Sequence, residues 1–259
     1  MTGHPAYGEL RQVTATAAVV LENNPSSMTL EGTNTWLLRA PGVDACVIVD
    51  PGYHDEPHLT AVAEAAGDVA LILVTHEHPD HVQGAPWLAD RVGAPVRAFA
   101  PDLCVGAAAL AADEVITAAG LDIQVLHTPG HTEDSVCLAV DGAVLTGDSV
   151  LGRGTTVISD LGAYLGTLRR LIEIPAGTIA LPGHGPELPD IAATAREYLS
   201  HREGRLDQVR AALRDLGTGA TARQVVEVVY RDVDESLWGP AEWSVQAQLA
   251  YLRTTGEAQ

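Results

Sequence analysis

The chain of 259 residues contains no lysine, a single phenylalanine and 11 aromatic residues in all. Its 15 basic side chains are all arginines and face 34 acids, a formal net charge of −19. An anionic body repels polyanions, because nucleic acid is gripped mainly through its phosphates. So few aromatics also leave few platforms on which bases could stack. A broad cationic nucleic-acid surface is therefore excluded, and any phosphate-bearing substrate must be held locally, by metal or by a few arginines.

Cysteine is scarce as well. Cys46, Cys104 and Cys137 are odd in number, widely spaced and set in apolar surroundings. That excludes a disulfide framework and fits a reducing compartment. No stretch approaches the roughly 20 apolar residues that a membrane span needs. The short apolar run 15–21 ends in Glu22-Asn23-Asn24-Pro25, which is no small-residue cleavage site, so a cytoplasmic location is expected. What the chain does have is apolar mass. With 46% hydrophobic residues it can bury a sizeable core, which excludes disorder. Its length suits one large domain with a small appendage.

The charge divides unevenly. Residues 1–185 carry 7 arginines and 22 acids, whereas residues 186–259 carry 8 and 12. The organisation changes at the same point. Before it, β-rich runs alternate with helical segments. Strands are expected at 17–21, 35–39, 46–50, 69–74, 123–127, 136–140, 143–146 and 178–181, with helices at 58–66 and 161–172. Several of these strands are apolar along their whole length, which indicates sheets covered by helices, an α/β fold. After about Pro189 only helices are expected, at 191–201, 205–216, 225–230 and 244–253. Thr221 and Gln224 form a capping-box signature before the third. The expected domains are 1–188 and 189–259. The tripeptide Pro-Gly-His occurs at 129–131 and again at 182–184, each time after an expected strand, a hint of two related halves.

The chemistry is concentrated in Thr75-His76-Glu77-His78-Pro79-Asp80-His81, directly after the apolar run 69–74. Three histidines and an aspartate within six residues are a metal-ligand cluster by residue type. On extended backbone His76 and His78 would point to one side. Pro79 then breaks the strand, so that Asp80 and His81 open the next helix and turn toward the same point. His131, Asp148 and His184 each sit just past an apolar strand, beside glycine that lets backbone approach closely.

The pattern H-x-H-x-D-H, followed in order by a distant His, a Gly-Asp and a Gly-His, resembles the metallo-β-lactamase superfamily over about residues 15–185. The resemblance implies a four-layer αββα sandwich with two metals at the sheet edges. It implies His76, His78 and His131 as ligands of one metal, Asp80, His81 and His184 as ligands of the second, and Asp148 as the bridge. Asp50 resembles the acid that orients a ligand histidine. No cysteine stands among the ligands, and His78 occupies the place that glutamate takes in the flavodiiron branch. Imidazoles and carboxylates without thiolate favour zinc, with manganese or iron as alternatives.

Three further segments, 23–36, 147–154 and 198–202, resemble the β-lactamase-like-protein-two branch, whose animal members are described as mitochondrial endoribonucleases acting on single-stranded RNA. There the tail is a small winged-helix-like domain, matching 189–259. What the resemblance implies is a dinuclear hydrolase with a metal-bridging hydroxide as nucleophile, Asp80 accepting a hydrogen bond from it and His184 assisting with protons. The first expectation is a phosphodiesterase or endoribonuclease, with Asn34, Arg153, His201 and Arg202 contacting substrate and the arginines catching phosphates. The alternative is a glyoxalase II-type thioester or lactone hydrolase, with weak β-lactam hydrolysis a third. A small molecule or single-stranded RNA is thus the expected partner, no membrane is involved, and a homodimer is compatible with the sequence.

Overall fold

The computed structural model describes residues 6–256, so residues 1–5 and 257–259, the ends of the two expected domains, lie outside the described residues. Among the described residues, eleven strands form two sheets. The first contains β1 (Leu10–Gln12), β2 (Ala17–Leu21), β3 (Asn34–Leu38), β4 (Cys46–Val49), β5 (Val69–Leu73) and β6 (Val96–Arg97), adjacent in sequence order. The pairs from β1 to β4 are antiparallel, and β4–β5 and β5–β6 are parallel. The second contains β7 (Val115–Ala118), β8 (Leu121–His127), β9 (Val136–Val140), β10 (Ala143–Gly147) and β11 (Ile179–Pro182), in the order β11-β10-β9-β8-β7. Only β10–β11 is parallel there.

Strand alternation builds the layers. In β4, Val47 and Val49 face the other sheet and meet Ile123, Val125, Leu138 and Leu145. Cys46 and Ile48 face outward, against Leu59 and Val62 of α1 (Glu56–Ala66) and Leu88 of α3 (Ala85–Val92). Successive side chains of a strand point to opposite faces, so a strand buried on both sides must be apolar throughout. The outer face of the second sheet, through Leu126, Cys137, Val144 and Ala180, packs on α4 (Leu161–Ile172). The result is helix, sheet, sheet, helix.

The tail extends this last layer. Its helices are α5 (Ile191–Leu216), α6 (Ala222–Val229) and α7 (Trp238–Thr254), and no strand occurs among its described residues. Tyr198, Leu206, Val225, Val245 and Leu252 join the same core as Tyr164 and Leu168 of α4. The tail is therefore docked on the sandwich through apolar contact. Asp160 and Asp190 cap α4 and α5 by accepting the backbone N–H of Ala163 and Ala193, each at 2.9 Å, and the Thr221–Gln224 capping box is formed.

Two expectations need correction. The stretch 191–216 is one helix of 26 residues, not two. Gly204, inside it, costs about 1 kcal/mol in a helix interior, less than burying Tyr198, Leu206 and Val209 returns. The last two helices also start earlier than expected, at Ala222 and Trp238, and the short strands β1, β6 and β7 were not foreseen. No described helix is long and apolar enough to cross a membrane.

Gly130 ties the second sheet to α4. Its φ is +130°, and a Cβ there would lie 2.4 Å from Cβ and 2.5 Å from Cα of Tyr164. Its carbonyl also accepts the N–H groups of Ser159 and Asp160 at the start of α4. Backbone on both sides cannot give way. Gly130→Ala is expected to cost about 3 kcal/mol, lowering the thermal midpoint by roughly 6–12 °C. Calorimetry on the purified variant checks this.

Candidate metal centre

Every candidate ligand follows the C-terminal end of a strand: His76 and His78 after β5, His131 after β8, Asp148 after β10 and His184 after β11. Asp80 and His81 lie in the single turn α2 (Pro79–Val82), which Pro79 opens. The backbone at 75–77 is bent, not extended as expected, because β5 stops at Leu73. The two histidines converge nonetheless. His78 Nδ1 lies 3.1 Å from His76 Nε2 and 2.9 Å from His131 Nε2.

Two groups result: His76, His78, His131 and Asp148, and then Asp80, His81 and His184. Within each, the ligand atoms lie within 4.8 Å of one another. Asp148 stands between them, with Oδ2 3.6 Å from His131 Nε2 and Oδ1 3.5 Å from both His81 Nε2 and His184 Nε2. Gly183 makes the junction possible, since a Cβ there would lie 2.7 Å from the His81 ring and 2.9 Å from Asp148 Oδ1.

The outward nitrogens fix the chemistry of the inward ones. His131 Nδ1 donates to the Val157 carbonyl at 2.7 Å, and His184 Nδ1 to the Gly32 carbonyl at 3.1 Å. His81 Nδ1 donates to Asp50 Oδ2 at 2.9 Å. The Thr75 hydroxyl gives its hydrogen to Asp50 Oδ2 at 2.7 Å, which leaves it to accept from His76 Nδ1 at 3.0 Å. With the Nδ1 proton so used, each of these four rings, while neutral, presents an Nε2 lone pair inward. His81 Nε2 then faces His184 Nε2 at 3.2 Å, and His78 can donate to only one of its two neighbours. Buried lone pairs this close repel unless positive charge, a proton or a metal cation, sits among them. Asp148 Oδ1, buried and without a hydrogen-bond partner, adds to that demand.

The potential favours positive charge too. Burial would lower the pKa of His81, but the carboxylates of Asp148, Asp50 and Asp80 outweigh it and raise it to about 10. Burial works to raise Asp80, yet the hydrogen bond from His184 and the charges of His81 and His184 hold it well below the usual carboxylate range. The donor set therefore fits a pair of hard or borderline divalent cations. Asp50 holds this arrangement with a left-handed backbone, φ +54°, and its Oδ1 accepts the Thr75 N–H at 2.7 Å.

The four residues expected to contact substrate stand elsewhere. Asn34 is buried and donates to the carbonyls of Pro182 (3.0 Å) and Gly185 (2.8 Å), bracketing His184. Arg153 pairs with Glu31, and His201 is exposed on α5. Arg202 is only 3% exposed; its guanidinium donates to the Thr156 carbonyl and lies 5.4 Å from the Tyr164 ring. A long cationic side chain on a helix reads as surface charge, and here the docked tail folds it inward.

That contact belongs to a strap. The Thr156 hydroxyl is 3.1 Å from His131 Nδ1, and the next carbonyl, Val157, accepts from the same nitrogen. Tyr198 donates to the Gly154 carbonyl at 2.7 Å, and Tyr164 to the Ser149 carbonyl at 2.7 Å. Residues 149–157 are thus held by α4 and α5 on one side while they hold His131 on the other. Sequence reading missed Thr75, Thr156 and this use of Tyr198. Only Thr75, next to the cluster, offered a signal.

Beside the centre lies a cavity of about 820 Å³. His78, Asp80, His131 and Asp148 form one part of its wall. Met28, Tyr53, Val157, Ile158 and Trp243 supply much of the remainder. Among the described residues, no arginine lines it.

Residues 28–184 match the family described as the metallo-beta-lactamase superfamily, and residues 221–259 match the beta-lactamase associated winged helix domain. The chain belongs to the metallo-beta-lactamase superfamily and is a metal-dependent hydrolase. It is 33% identical over 267 residues to the Drosophila melanogaster beta-lactamase-like protein 2 homolog, covering 95% of this chain and 90% of the fly protein. It is 32% identical over 248 residues to an Aspergillus chevalieri protein named atrochrysone carboxyl ACP thioesterase, covering 90% of this chain and 79% of that one. The crystal structure of a beta-lactamase domain protein from Burkholderia ambifaria shares the fold, with a TM-score of 0.83 at 23% identity over 99% of this chain and 91% of the other.

Removing the strap's anchor tests its role. Arg202→Met is expected to weaken zinc binding by roughly 10–100-fold, the range for losing a group that orients a ligand, and Arg202→Lys to restore part of it. Competition with a chromophoric chelator measures the affinity, and circular dichroism confirms that the variants are folded.

Proposed function

We propose that this protein hydrolyses acyl thioesters or esters at a pair of divalent cations, zinc by the chemistry of the donor set. The observation that carries this reading is the cavity beside the centre, lined by apolar side chains and no arginine among the described residues. A phosphodiester in a nucleic acid brings a run of negative charges that need cationic partners. An acyl carbonyl is neutral and develops one negative charge as it is attacked, which the centre itself can meet. A relative named as a thioesterase supports the same choice.

His76, His78 and His131 would hold one cation, Asp80, His81 and His184 the other, and Asp148 both. Such a pair supplies Lewis acidity toward the carbonyl oxygen and a water of lowered pKa. The protein's own groups do the aiming. Asp80 lines the cavity and stays a carboxylate at neutral pH, so it can accept a hydrogen bond from the attacking water and turn its lone pair to the carbonyl. His184 Nε2, 3.2 Å from Asp80 Oδ2, keeps that carboxylate in place. Asp50, through Thr75 and His81, fixes the rings from behind. The apolar walls limit water around the reacting carbonyl, which strengthens every electrostatic contact there.

The test sets zinc-loaded protein against S-acetyl-N-acetylcysteamine and, in parallel, end-labelled single-stranded RNA, with Asp80→Ala as control. Thiol release that falls at least ~100-fold in the variant is expected. RNA cleavage with the same Asp80 dependence, and no thiol release, would overturn the acyl reading in favour of a ribonuclease.

A further inference from the structure

The helix α7 comes from the tail yet forms part of the cavity beside the metal centre. Trp243, Gln246, Ala247 and Ala250 all line it. Their spacing of three, four and seven residues puts them on one helical face. A second face, with Val245, Leu249 and Leu252, is buried in the core shared with α4 and α5. The core face therefore fixes where the cavity face stands. That face combines two alanines, which leave room, with a tryptophan that remains 57% exposed. Met28, 44% exposed, and Tyr53, 37% exposed, line the same cavity. Three large hydrophobic side chains left in water around one cavity are a cost that a bound apolar group would recover. Val157 and Ile158 continue the apolar lining, and the carbonyl of Val157 is the one that holds His131.

We propose that this face of α7 is the acyl-binding wall of the enzyme, and that the substrate carries a hydrophobic acyl group of several carbons packed against Trp243, Ala247 and Ala250. This rests on the acyl hydrolase reading and adds to it the class of acyl group and the element that selects it. The small cavity-facing alanines set how much acyl group fits, and Trp243 covers it. Specificity is thus a property of the docked tail, while the chemistry belongs to the sandwich.

Two measurements test this together. In the first, N-acetylcysteamine thioesters of acetyl, butanoyl, hexanoyl and octanoyl groups are hydrolysed by zinc-loaded protein. The specificity constant is expected to rise with chain length, by up to about fourfold per methylene buried. Trp243→Ala is expected to flatten that series through KM more than kcat, Trp243→Phe to keep most of it, and Ala250→Leu to shift preference toward the short groups. In the second, calorimetry follows binding of S-octyl-N-acetylcysteamine, a thioether with no carbonyl to cleave, to metal-free and zinc-loaded protein. Binding with a negative heat-capacity change is expected, weakened about tenfold by Trp243→Ala. Hydrolysis of all four thioesters at one rate, with thioether binding untouched by Trp243→Ala, sinks the wall and leaves the acyl hydrolase standing. Trp243-dependent thioether binding without hydrolysis of any thioester does the reverse: the apolar wall stands, and the reaction assigned to the centre falls.

Discussion

The structure turns on a concentration of buried lone pairs and carboxylates that draws positive charge into its centre. Five imidazoles and two aspartates converge, and the outward nitrogen of four rings is spent on an acceptor behind it. Tying down Nδ1 turns Nε2 of a neutral ring to the inside as an acceptor. Packing such acceptors within about 3 Å of one another costs free energy in a medium of low dielectric, where unpaired polar groups are expensive. The arrangement therefore calls for positive charge among these groups, from protons on rings such as His81 or from divalent cations, and the folding energy of the sandwich holds them together.

That requirement explains features of the scaffold that would otherwise look unrelated. Asp50 accepts a left-handed backbone because three donors, two from Thr75 and one from His81, occupy its carboxylate. The two Pro-Gly-His segments use their glycines for different clearances, Gly130 against the backbone of Tyr164 and Gly183 between His81 and Asp148. In each case the histidine follows at once, so the close approach places the ligand. The tail takes part through the strap: α5 grips residues 151–156 with Tyr198 and Arg202, and the strap grips His131. The tail that supplies the proposed acyl-binding wall thereby also braces the centre.

Much of the cluster that the structure brings together could be read from the sequence because it is local. His76, His78, Asp80 and His81 lie within six residues, and the other three each follow an apolar strand beside a glycine. The layered fold was legible for the same reason, since fully apolar strands such as 17–21 and 46–49 can only be buried on both faces. What could not be read was anything decided by docking. Arg202 and a surface arginine are the same residue in a sequence; the difference is that α5 packs on α4 and turns Arg202 toward Tyr164. Asn34 looked like a substrate contact because it lies in a conspicuous motif, but its amide is consumed by the carbonyls of Pro182 and Gly185. Trp243 is 95 positions beyond Asp148 and lines the same cavity. No period or spacing carries that information.

Electrostatics joins these observations. A body of net charge −19 repels polyanions at long range, while screening confines each local field to about 10 Å at moderate salt. Cations at the centre would make a small positive island inside an acidic molecule. Such an island suits a substrate that is neutral on approach and negative only at the transition state, since it pays no long-range penalty and gains where charge develops. Arginines in the cavity would instead favour anions already charged in the ground state, binding them without speeding their reaction. Arg153 paired with Glu31 and Arg202 buried against Tyr164 are arginines placed so that they do not do this. On the acyl hydrolase reading, the apolar lining and the acidic surface are two parts of one selection, against charge outside and for carbon within.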